Sequence, residues 1–302
     1  MMNKSKKRSN FTLSLIKKHR DSVIHIFEKE DYPIPQGFTE DDVNLATPRL
    51  FTDNLYLEFT LSMSNLVLAK YSLSLSFAER TDVIDYYANS LNDAQNLHKK
   101  TKELAKQKGI YIRSPIIPKP DKIDFVHDQS FIAGWFHERR PLIGIEITNL
   151  VYNPRRNALG QAIIAGFNQV ATTKEIIQYF ERGRDISGKH LRVFTDILQE
   201  GYLSNGTLLA TPEVTDSTAA PFSEKLMTFF VTILVASSIG EYGLAMSMSP
   251  RHDLGAKYTR LIAEIAKFSS DGAKILIDHG WMERPPIAAD RKDLAEPGRG
   301  DD

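Results

Sequence analysis

Eight histidines and 38 aspartates and glutamates are the groups in this chain best able to hold a metal or carry a proton. Two-metal sites in helical bundles use single glutamates on two helices and Glu-x-x-His on the other two, since that spacing turns carboxylate and imidazole to one face. No histidine here has a glutamate three residues before it; the nearest case is Asp124 before His127. Gly183-Arg-Asp-Ile-Ser-Gly188-Lys189 has the glycine and lysine spacing of a phosphate loop. His190 follows, where that loop needs Ser or Thr for magnesium, and the stretch reads as helix, so it is taken as a chance match. No Gly-x-Ser-x-Gly elbow occurs, and Ser237-Ser238 lie in an apolar run unsuited to a nucleophile. The absence of cysteine excludes disulfides, thiolate metal sites and a thiol nucleophile, and fits a reducing, cytoplasmic setting.

The elements that would position such groups are written twice. Gly109-Ile-Tyr-Ile-Arg-Ser-Pro115 is echoed by Gly280-Trp-Met-Glu-Arg-Pro-Pro286, 171 residues later. At the same offset Lys18-His19 meets Lys189-His190, and Phe51, Leu55 and Phe59 meet Phe222, Leu226 and Phe230. Tyr71, Arg80, Asp82 and Tyr87 meet Tyr242, Arg251, Asp253 and Tyr258. One offset holding over such a length points to internal duplication. At 302 residues the length suggests about two domains.

Apolar residues at helical spacing predict helices over 3–30, 51–77 and 80–109 in the first copy. The second copy predicts helices over 141–170, from 172 to about 200, over 222–248, and from 251 to 279. Pro141 suits a first helical turn, Pro154 predicts a kink or break, Thr172-Thr-Lys-Glu175 reads as a capping box, and Ser249-Pro250 as a cap. One long crossing between the second and third helices is the ferritin-like order of a four-helix bundle. The expected fold is therefore all-α: tandem ferritin-like four-helix bundles, the first lacking its first helix. The divisions are 1–112 (three helices), a Pro-rich linker 113–131, a complete bundle 132–287 and a disordered tail 288–302. The first bundle should carry an open apolar groove, through which a homo-oligomer could form.

Each helix of the second bundle offers one substitute metal ligand: Glu146, His190, Glu241 and Glu264. No metal is expected, with iron or manganese as the alternative; otherwise the glutamates are solvated or hydrogen-bonded helix residues and His190, like His19, a structural histidine. Arg80-x-Asp82 and Arg251-x-Asp253 read as fold-defining ion pairs, the arginine reaching Asp42 or Glu213 of the crossing segment. Lys plus Arg equals Asp plus Glu, so charge indicates no nucleic-acid partner. The basic run Lys4–Arg8 reads as a solvated face. Leu226–Gly240 is uncharged but short of the roughly 20 residues of a membrane span, and reads as a buried helix.

Pro35–Val43 and Gly109–Pro115 stand out in the first copy, and Arg140-Pro-Leu142 with Glu146-Ile147, Gly166–Ala171, Pro221–Met227 and Gly280–Pro286 in the second. These stretches resemble a family found mainly in spore-forming Gram-positive bacteria and catalogued as domain of unknown function 3231. The resemblance implies tandem ferritin-like bundles, with some members labelled spore coat proteins, and implies no activity. The function expected is a non-catalytic structural or interaction role, with a spore or stress association; the alternative is metal or small-ligand binding in the core of the second bundle.

Overall fold

The computed structural model describes residues 2–135, 139–203 and 213–295, with backbone alone at 2–10 and 293. The side chains of Lys4–Arg8, the middle of the second crossing segment and the end of the tail lie outside the described residues.

The described chain is all-helical. Its first half holds α1 (Met2–Lys29), α2 (Asp53–Phe77) and α3 (Thr81–Gln107). The second holds α4 (Gly144–Val170), α5 (Lys174–Glu200), α6 (Glu224–Ser247) and α7 (His252–Asp278). A short α8 (Arg291–Ala295) follows, in the segment expected to be disordered. α4 pairs with α5, α6 with α7 and α2 with α3. One helix precedes the first crossing segment and two precede the second.

The duplication is visible in the hydrogen bonds. α3 and α7 stop in the same way, on Gly109 and Gly280 in the left-handed region at φ 72° and 66°. Ile110 N donates to Ala105 O and Trp281 N to Leu276 O, closing matched C-terminal turns. The crossing segments pair with each other. Val43 forms an antiparallel bridge with Phe222, and Phe51 with Val214. Asn44 N donates to Pro221 O at 2.9 Å and Thr215 N to Leu50 O at 3.0 Å. Ser223 donates from Oγ to Asp42 Oδ1 at 2.6 Å, and Thr52 from its hydroxyl to Glu213. Every contact in this set has its counterpart 171 residues away on the other partner, which is the signature of a two-fold relation between the halves. Asp42 and Glu213 therefore serve the N-termini of α6 and α2, not the arginines assigned to them from sequence.

Two buried clusters are found among the described residues. One joins the halves, setting Leu50, Phe51 and Leu55 against Ile163, Phe167, Phe180 and Met227. Gly166 is small because a Cβ there would strike the Phe51 ring. The other cluster lies within the second half, with Leu150, Phe194, Tyr242, Leu254 and Leu261.

Three local expectations are corrected. α4 begins at Gly144 rather than Pro141 and continues through Pro154, whose ring is buried. Thr173 caps α5 without a side-chain bond; Glu224 of α6 instead accepts from Thr172 N at 2.7 Å and Thr173 N at 2.8 Å. Arg251, not Ser249, is the N-cap of α7. α6 is also less enclosed than a buried helix. By length and composition alone it could cross a membrane, and it leaves Phe229, Ile233 and Leu244 exposed.

Candidate functional site

The structure brings together two of the four candidate ligands. His190 is fully enclosed between α5, α6 and α7. Its Nε2 lies 3.1 Å from Glu264 and its Nδ1 3.2 Å from the Tyr242 hydroxyl. Lys189 Nζ donates to both Glu264 oxygens at 2.8 and 2.9 Å, and Asn157 Nδ2 donates to the Tyr242 hydroxyl at 2.7 Å. One tautomer satisfies the row: Asn157 to Tyr242, Tyr242 to Nδ1, and Nε2–H to Glu264. Burial lowers the His190 pKa, outweighing Glu264, so the imidazole is held neutral. Burial would raise Glu264, but Lys189 and His190 outweigh it and lower its pKa. With both ring nitrogens engaged and no exposed edge, His190 is built as a structural link. The first half repeats it more loosely: His19 Nδ1 meets Ser90 at 3.0 Å, and Nε2 meets Asp93 at 3.5 Å.

Glu146 lies elsewhere, at the start of α4. It takes a paired bond from Arg140 at 2.8 and 2.9 Å and a bond from Ile143 N at 3.0 Å. Arg251 N reaches it at 3.4 Å, and Arg251 grips Asp253 at 2.7 and 3.0 Å. Burial would raise both carboxyls, but the arginines outweigh it and hold Glu146 and Asp253 below the usual range. The matching Arg80–Asp82 pair is exposed and reaches Glu30 at 2.9 Å. Glu241 sits apart, 3.6 Å from Arg156. Among the described residues no three His, Asp or Glu side chains converge as a metal site.

A second feature is a surface. In the second half α4 covers α5 and reaches across to α2: Arg155 of α4 bonds Glu58 at 3.1 Å, and Ser187 lies against Gly160. Ser62 lines the same junction. The repeat equates Glu58, Ser62 and Ser187 with Phe229, Ile233 and Ile16. No described helix covers that second set, and Ile16 is 59% exposed, Ile233 47% and Phe229 36%. The uncovered positions are thus apolar where the covered ones are polar. The pairs were present in the sequence at the fixed offset, but they differ in type and so gave no similarity to notice. Arg156 and the pairing of Arg140 with Glu146 were not legible, because neither arginine has a matched residue in the first half.

No curated protein and no solved structure matches the chain. The profile of a family described as "Protein of unknown function (DUF3231)" matches residues 5–123 and again residues 130–294. These matches span most of the chain, which therefore belongs to the DUF3231 family.

Proposed function

We propose that this is a non-catalytic interaction protein of tandem ferritin-like design, whose incomplete first bundle docks on a second copy of the same chain. The units are residues 1–112 and 132–287, linked by 113–131. The observation that carries the reading is the exposure of Ile16, Phe229 and Ile233; the repeat equates them with residues beside α4 in the other half, which makes their face the equivalent of the groove that α4 fills. Exposed apolar residues gathered in one groove, rather than scattered singly, mark an interaction site.

A second copy suits this groove for two reasons. α4 and α5 are consecutive helices joined by a short turn and packed together, so they run antiparallel. A two-fold contact whose axis crosses α1 at a right angle would lay a second α1 antiparallel to the first, with the polarity that α4 has beside α5. The exposed row Phe229, Ile233, Ala236 and Gly240 has the alternating four- and three-residue spacing of a helix–helix seam and no charge. Uncharged, strongly apolar faces are characteristic of contacts between identical subunits.

Sedimentation of the full chain tests the reading. A dimer is expected, with Ile233→Asp and Ile16→Asp each shifting it to monomer while helix content holds. A chain that is monomeric throughout overturns it. If that monomer instead floats with lipid vesicles, the apolar face of α6 serves a membrane.

A further inference from the structure

We propose that charge holds the α1 helices of the two copies antiparallel, so that ionic strength controls the pairing. This rests on the docking proposed above and adds what orients and regulates it. The equal totals of acidic and basic residues hide a strong separation. Residues 1–20 hold seven Lys and Arg and no Asp or Glu, whereas residues 21–31 hold four acids and one lysine. In the α3 region the order is reversed. Residues 79–93 hold four acids and one arginine, and residues 99–108 hold five lysines and one glutamate.

The two helices run antiparallel, so these ends coincide instead of compensating. Lys100 Nζ stands 4.1 Å over the Phe11 ring, Lys18 bonds Asp93 at 3.0 Å, and Arg80 bonds Glu30 at 2.9 Å. The basic start of α1 thus lies beside the basic end of α3, and at the other end acid lies beside acid. Lys17, Lys99 and Lys108 are exposed on the basic side, and Glu28, Glu79 and Asp85 on the acidic side. None of these six forms an ion pair with a described residue.

α1 also carries its charges against its own dipole. Its first turn has no acid and its leading part is basic, although the start of a helix favours negative charge. α5, the same helix in the other half, opens on Glu175. Residues 172–191, the equivalents of 1–20, hold four Lys and Arg and three Asp and Glu. What is unfavourable within one molecule becomes favourable between two. A second copy turned about an axis perpendicular to α1 sets the basic start of each helix against the acidic end of the other. A parallel pairing would set like charge against like. A polyanion would meet the basic end alone and be repelled by the acidic one, so a second copy is the partner that matches both.

Sedimentation of the full chain in sodium chloride tests this. Between about 0.1 M and about 1 M the screening length falls from about 10 Å to about 3 Å, and the dimer should weaken at least about tenfold. A dimer held by its apolar face alone should hold or tighten instead. Glu28→Lys with Glu30→Lys, and separately Lys7→Glu with Arg8→Glu, should each weaken the low-salt homodimer by about tenfold or more. Both changes suit the α1 dipole better, so helix content should hold while association falls. Mixed in equal amounts, the two variants should pair with each other and recover the dimer. A dimer indifferent to salt, or a mixture no tighter than its components, overturns the charged pairing and leaves the apolar docking standing. A chain monomeric at both salt concentrations overturns both.

Discussion

α1 and α5 are the same helix written twice, and they live in different surroundings. α5 buries Ile176, Phe180, Phe194, Ile197 and Leu198 completely or nearly so. In α1 no residue with a described side chain is fully buried. Val23 and Phe27 stand where Phe194 and Leu198 do, yet remain partly open. The difference is α4, which packs along α5; among the described residues no helix packs beside α1 in the same way. Helical pattern alone makes both rods; enclosure comes only from a neighbour on the second side.

Four measurements would break or sharpen this contrast. The largest effect is expected at Glu146, since Glu146→Gln removes the acceptor of a buried arginine pair and leaves the charge of Arg140 uncompensated. Such losses cost about 3–5 kcal/mol. Chemical denaturation should show this cost, and Asp82→Asn, in the exposed equivalent of the Arg251–Asp253 pair, should cost far less. Next is Leu198→Ala, expected to cost about 2–5 kcal/mol, against less than half of that for Phe27→Ala. Equal losses at the two positions would mean that α1 is as enclosed as α5.

Smaller and matched effects are expected at the reciprocal caps. Thr52→Ala and Ser223→Ala should each cost about 1 kcal/mol, because each hydroxyl bonds the acid of the opposite crossing segment. A cost at only one of them would count against the two-fold relation. The smallest effect concerns pH. His19 and His190 both titrate below 6.5 in the folded chain, chiefly through burial. The unfolded chain therefore takes up these protons first. Their contribution is complete above about pH 6.5 and is lost as pH falls toward the lowered folded values. The unfolding temperature should drop across that interval, and less so in His190→Gln.

The helices and both glycine stops were legible in the sequence, because period and turn chemistry are local. The family was legible from short stretches such as Gly166–Ala171. What escaped were contacts whose two ends lie far apart in the chain. Thr172 and Glu175 looked like their own capping box, but the acid at that helix start comes from Glu224, on α6. Arg251 looked ready for Glu213 and met Asp253 and Glu146 instead. Of the proposed ligand set, spacing could not pair His190 with Glu264, because they lie on different helices, α5 and α7. It could not place Glu146, because the arginines that claim it come from a loop and from the start of α7.

The paired crossing segments have a kinetic consequence. A chain carrying one such module would have to find another by diffusion before its Asp42-type acid could meet a Ser223-type hydroxyl. Here both sit on one polypeptide, and the encounter is intramolecular, at an effective concentration that the shared chain sets. Dilution cannot part the two modules, so one of them can depart from its sibling without losing its mate.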